Sequence, residues 1–229
     1  MLMTKNELLS FIAFKNEQEK EDAEFYMAVK GVELHRRILL FLGCTFSEKS
    51  KIKWSKIARI LKSDKALRDV IYIYLATLEE YMRAFISNKY ENNIQQSFWI
   101  DGSGQRQANK IKANILSGKK LFDILENIDF GCLIQQVKNL PIEDKKQLFG
   151  DFYSDTNLDA VKELRNAVSH HKLLAGCALK KCLIFEFEGS TLIDNIKNLR
   201  QLLPERYRYG KNGKGGITAE LNKIGINLD

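Results

Sequence analysis

A chain of 229 residues with 45% apolar content, four cysteines and a net charge of +7 is long enough to bury a real core. It has no apolar run that would span a bilayer, and its first 25 residues turn acidic too soon for a secretory signal, which excludes the membrane and secreted classes as expectations. Cys44, Cys132, Cys177 and Cys182 are scattered without a C-x-x-C pair and read as reduced thiols of a cytoplasmic protein. A zinc site from Cys177, Cys182 and His170 or His171 has a spacing that fits no usual pattern, so no metal or other cofactor is expected.

In chain order, Thr4 and Glu7 form a possible capping box for a first helix from Thr4 to Phe14. Asp22 to Phe41 reads as a helix with Gly31 as a kink, and its His35 as a core or surface histidine. A loop from Gly43 to Ser50 leads to a short helix near Trp54 to Leu61. Lys65 to Tyr90 then carries Leu67, Ile71, Tyr74, Leu78, Met82 and Phe85 at steps of three and four, a core-facing stripe. Glu79 and Arg83 lie four apart at its edge, either as an intrahelical ion pair or as support for a neighbouring site.

Asn92 to Asn109 reads as a loop, and its Asp101-Gly-Ser-Gly lacks the spacing of a phosphate cradle. Helices follow at Lys110 to Glu126 and Phe130 to Lys138, and Pro141 opens another that ends near Gly150. Leu183, Phe185 and Phe187 alternate in a short strand candidate at 182–188. Ser190 caps a helix to Leu203.

The most informative stretch is Leu158 to Ala175. Leu158, Val161, Leu164 and Val168 recur at helical spacing, Thr156 with Asp159 fits an N-terminal cap, and Gly176 is the expected stop. Arg165, Asn166, Ser169, His170 and His171 crowd its polar side, and two of the chain's three histidines are adjacent. At about 100° per residue, Asn166 and His170 share a face, and Arg165 stacks over Ser169. That places a fixed cation, a titratable imidazole and an amide on one element.

Basic residues gather at Lys49, Lys51, Lys53, Lys56 and Arg59, at Arg106, Lys110, Lys112, Lys119 and Lys120, and in the tail. Such clusters suit a polyanion partner or are simply solvated helix faces. In the tail, Arg206 and Arg208 interleave with Tyr207 and Tyr209, followed by Lys211 and Lys214. Tyrosines stack on bases while arginines hold phosphate, so this is a candidate single-strand RNA contact, or else a plain flexible loop.

The string Arg165-Asn166-Ala167-Val168-Ser169-His170 resembles the R-x4-H motif of the HEPN superfamily. With His171 it is similar to the Abi-like (AbiD/AbiF) family, and Asp64-Lys65-Ala66-Leu67-Arg68 and Glu79 with Arg83 resemble that family's upstream helix. Where the family often has an arginine and a tryptophan-asparagine pair after the histidines, this chain has Lys172-Leu173-Leu174-Ala175.

The resemblance implies an all-α fold: one HEPN-like bundle with an N-terminal helical part at 1–62, a core at 63–176 and a C-terminal extension at 177–229. It implies a metal-independent endoribonuclease of phage defence (abortive infection) or a toxin. His170 would be the acid/base, Arg165 the clamp on the transition state, and Asn166 the orienting amide. His171 would be a second proton carrier, with Glu79, Arg83 and Ser169 in support. RNA is the implied substrate, a structured small RNA a possible partner, and a homodimer the implied assembly. The alternative is a HEPN-like RNA-binding or scaffold protein that does not cut.

Overall fold

The computed structural model describes residues 3–47, 50–91, 105–174, 191–211 and 215–228, with the side chains of 105–108 left out of the description. The strand candidate at 182–188, Cys177, Cys182, Gly176, the Ser190 cap, Asp101-Gly-Ser-Gly and Lys214 lie outside the described residues.

Among the described residues the fold is all-α apart from one two-stranded sheet. In order the elements are α1 (Lys5–Ser10), β1 (Ile12–Ala13), α2 (Glu17–Lys30), α3 (Val32–Phe41), β2 (Ile52–Lys53) and α4 (Trp54–Tyr90). Then come α5 (Gln105–Leu116), α6 (Leu121–Glu126), α7 (Phe130–Asn139) and α8 (Ile142–Phe149). A 3-10 turn over Gly150–Phe152 leads to α9 (Asp155–Ser169), α10 (Leu192–Leu202), α11 (Glu205–Tyr209) and α12 (Gly216–Lys223). No helix among the described residues is long and apolar enough to cross a membrane.

Two compact units divide the chain. One comprises Met1–Asp69 with Ala167–Leu192, the other Val70–Asn166 with Ile193–Asp229. The divisions fall inside α4 and inside α9.

In the first unit, α1 starts on the expected capping box: the Glu7 amide donates to Thr4 Oγ1 at 3.3 Å, and the Thr4 amide donates to Glu7 Oε2 at 2.7 Å. Asn16 caps α2 by accepting from the Glu19 amide at 3.0 Å. Gly31, with φ 89° and ψ 147°, does more than kink the next helix; it separates α2 from α3, because no helical residue adopts that conformation. β1 and β2 pair in parallel, Ile12 with Ile52 and Ala13 with Lys53, a feature too short for periodicity to reveal. Leu8, Ile12, Met27, Ile38, Leu39, Trp54, Ile57 and Leu173 close one hydrophobic core.

The expected break before Lys65 is absent. α4 runs 37 residues through Lys62-Ser63-Asp64, which contain neither glycine nor proline to stop it. Its buried stripe continues Leu67, Ile71, Tyr74, Leu78, Met82, with Ile86 rather than Phe85 next.

In the second unit, α5 begins at Gln105, earlier than expected, and a turn at Gly118 (φ 75°) divides the expected single helix into α5 and α6. Asp129 caps α7 by accepting from the Cys132 amide at 2.8 Å. Asp144 is buried and is satisfied by Lys89 Nζ at 2.6 Å and by the Tyr90 hydroxyl. α9 is capped by Ser154, whose Oγ accepts from the Asn157 amide at 3.0 Å, so the helix starts ahead of Thr156.

Candidate functional site

α9 buries Leu158, Val161, Leu164 and Val168, as the periodicity predicts, and Ala167 with them. Its end differs from the expectation. The helix stops at Ser169, not Ala175, and the histidines form the stop. The His171 amide donates to Val168 O at 3.2 Å and the Lys172 amide to Ala167 O at 3.0 Å. This pair of bonds is a Schellman closure, with His171 at the left-handed position and φ 52°. Glycine usually fills that position, because a side chain there is crowded.

Two residues of α4 hold this turn. Arg68 Nη1 donates to Val168 O at 2.7 Å, and Nη2 donates to Lys172 O at 2.6 Å and to Asp64 Oδ2 at 3.0 Å. Asp64 Oδ1 in turn accepts from the Leu174 amide at 2.5 Å. A guanidinium at a helix C-terminus satisfies orphaned carbonyls and meets the negative end of the helix dipole. Leu173 joins the core of the unit, and Leu174 is also buried. Lys172-Leu173-Leu174 therefore acts as an anchor. Sequence reasoning matched Asp64 and Arg68 to a family pattern without giving them this task. The available signal was a carboxylate and an arginine four apart on one helix.

With the turn fixed, Ser169, His170 and His171 are all exposed. The histidines differ in surroundings. His171 lines a groove of about 790 Å³ in the first unit, together with residues of α2, α3 and α4; His170 does not.

Arg165 and Asn166 belong to the second unit, and both are half-buried. The Arg165 guanidinium lies over the Phe130 ring, 5.6 Å from its centroid. Such a contact restrains a long side chain without consuming its donors. Glu79 and Arg83 form the expected ion pair at 2.5 Å, and Arg83 Nη2 also donates to Ile128 O at 3.1 Å. That carbonyl lies two residues before Phe130, so the pair braces the segment carrying the ring beneath Arg165.

The tail is built rather than loose where it is described. Pro204 both ends α10 and opens α11. Arg208 donates from Nε to Leu203 O at 2.5 Å, and its guanidinium covers the Phe152 ring at 4.7 Å. Gly216, at φ 71°, lies against Arg208: a Cβ there would sit 2.9 Å from Arg208 O and 2.6 Å from Gly210 N. Arg206, Tyr207, Tyr209 and Lys211 remain exposed. Arg208 is thus a structural residue of the tail, and among the described residues Arg206 and Lys211 are its exposed cations without an ion pair.

No family model, no curated protein and no solved structure matches the chain.

Proposed function

We propose that the chain is a metal-independent endoribonuclease of the HEPN type, acting in phage defence or as a toxin, with Arg165 and His170 as its reactive pair. The observation that carries this reading is the turn after α9. Arg68, Asp64 and the Schellman closure hold the backbone on both sides of His170, while the imidazole stays open to solvent. Enzymes restrain acid/base residues in this way, because a loosely held group loses its geometric advantage.

The reaction needs no external nucleophile. The RNA 2′-hydroxyl attacks its own adjacent phosphorus; the O2′–P bond forms as the P–O5′ bond breaks. His170 transfers a proton at one of these oxygens, which suits an imidazole near neutral pH. Arg165 places its forked donors on the phosphorane as negative charge grows. Asn166 orients the imidazole or the phosphate. Arg206 and Lys211, beside Tyr207 and Tyr209, supply phosphate and base contacts for the strand.

One His170 cannot readily serve both the attacking and leaving oxygens. A homodimer, the commonest closed assembly, supplies a second from a partner chain. Mixing wild-type chains with excess His170→Ala chains, with subunit exchange allowed, should lower activity below simple dilution. Activity that only tracks the wild-type fraction would contradict a shared site.

The reading is tested by incubating single-stranded RNA with the protein in EDTA, beside the same sequence carrying 2′-deoxyribose throughout. RNA should be cut and the deoxy strand should survive, since it lacks the nucleophile. Cleavage of both strands, or of neither, contradicts the proposal; binding without cleavage would favour the RNA-binding reading.

A further inference from the structure

The groove beside His171 lies wholly within the first unit and follows two helices. Glu19, Asp22, Tyr26 and Lys30 line it from α2, and Ala58, Leu61 and Lys65 from α4, each set at steps of three or four. Its α2 side, from Glu19 to Lys30, is about 16 Å long at about 1.5 Å per residue. Spread over that length, the volume of about 790 Å³ gives a cross-section of about 50 Å², close to half that of a helix about 10–12 Å across.

The floor is apolar. Leu34, Ala58 and Leu61 line it as partly buried side chains packed on the core of the unit. Beside Tyr26, α2 also carries Phe25 and Val29, 64% and 61% exposed, and the Phe25 ring meets the Tyr26 ring edge-on at 5.9 Å. The three fall within about 100° of one another around the helix. A contiguous apolar ridge left open to water marks an interaction surface, since folding gains nothing from it.

Charge divides the two walls. α2 contributes Glu19 and Asp22, and α4 contributes Arg59 and Lys62; none of the four makes an ion pair among the described residues. Glu19 accepts from the Lys15 amide and Asp22 from Gln18 Nε2, which leaves each carboxylate further acceptor sites. Lys65 and Arg68, by contrast, are taken up by Asp69 and Asp64. Lys30 stands at the C-terminal end of α2.

We infer that the groove receives an amphipathic helix of a partner protein. Its apolar face meets Leu34, Leu61 and Tyr26, its acidic flank lies beside Arg59 and Lys62, and its basic flank lies beside Glu19 and Asp22. Grooves of this kind read apolar anchors about one turn apart. The two flanks fix the direction of the helix, because reversing it would set like charges together. A phosphate backbone would have no use for the apolar floor or for the two carboxylates. A helix seated there lies beside His171, next in sequence to His170 and part of the turn that fixes it. Control of cleavage through that turn rests on the ribonuclease reading; docking does not.

The probe is a labelled, hydrocarbon-stapled helix of about 14 residues, enough to span the groove. It carries leucines on one face, glutamates on one flank and lysines on the other. Titrated into the full-length protein without RNA, it should bind saturably at sub-millimolar concentration by fluorescence anisotropy. A peptide acidic on both flanks, one basic on both flanks, and one with glutamines for leucines should each bind about tenfold more weakly. Arg59→Glu with Lys62→Glu, both at exposed positions, should weaken the mixed peptide and strengthen binding of the doubly basic one. No saturable binding at millimolar peptide, equal affinity for the doubly acidic peptide, or no gain for the basic peptide in the charge-reversed variant would overturn the proposal. Displacement of the peptide by single-stranded RNA would give the groove to nucleic acid and overturn it too. So would self-association of the protein that is lost with Phe25→Ser and Val29→Ser, which would give the groove to a second copy. None of these readings involves cleavage, so a protein inert toward RNA leaves them intact.

Discussion

His171 sits at φ 52°, where an imidazole-bearing residue is strained and glycine is not. Non-glycine residues held in this region cost of order 1 kcal/mol or more. His171→Gly should therefore raise stability by about 1 kcal/mol, seen as a higher denaturant midpoint at unchanged slope. A lower midpoint would mean that imidazole contacts outweigh the backbone strain. His35 gives a second prediction. It is fully buried, stacked on Trp54, with Nδ1 donating to Gly31 O at 2.9 Å and Nε2 without a partner among the described residues. Burial holds its pKa below the ordinary 6.5, the Gly31 bond opposing this only in part. The unfolded chain therefore takes up a proton that the native state resists. Stability is full above about pH 6.5 and declines as pH falls below it. His35→Phe, which keeps a ring against Trp54, should flatten the slope of unfolding free energy between pH 7 and about 5. An unchanged slope would assign the pH dependence to other groups.

At the level of elements, the end of α9 depends on α4. Arg68 is 12% accessible at its side chain and satisfies Val168 O and Lys172 O while pairing with Asp64. Arg68→Ala removes the charged donor shared by the Asp64 carboxylate, Val168 O and Lys172 O, while Asp64 keeps the Leu174 amide and Val168 O keeps the His171 amide, and should cost about 1–3 kcal/mol in denaturant unfolding. Arg68→Lys should recover only part of this, because an ammonium cannot fork between the carbonyls and the carboxylate. Near-wild-type stability of Arg68→Ala would show that the Schellman bonds suffice alone. Asp64 also explains why one boundary was illegible. The sequence predicts a helix start at Lys65, yet the Asp64 carboxylate is committed to Arg68 and to the Leu174 amide, 110 residues away, and the helix passes through it. The stripes on α4 and α9 were legible because spacing alone sets which face is buried. The stop at Ser169 was not, since it comes from a histidine in a conformation that sequence rules reserve for glycine.

Across the described residues, the all-α class that the resemblance implied agrees with the structure, and Arg165, Asn166, His170 and His171 were readable as a polar cluster at the end of α9 and in the turn after it. The groove beside His171 was not, because its walls are assembled from α2, α3 and the first turns of α4, which sequence order keeps apart. Likewise Arg208, which reads as a phosphate contact, is drawn onto Phe152 by a partner 56 positions away in the chain. The proposed chemistry is proton transfer by His170 while a 2′-hydroxyl displaces the 5′-oxygen. The most direct test is to cleave a 3′-labelled and 5′-labelled RNA in EDTA with wild-type protein and with His170→Ala, and to identify the new termini. The account predicts a 2′,3′-cyclic phosphate on one fragment and a 5′-hydroxyl on the other, with the rate falling about 100- to 10,000-fold in the variant. A 5′-phosphate terminus, or a His170→Ala protein that cuts at the wild-type rate, would contradict it.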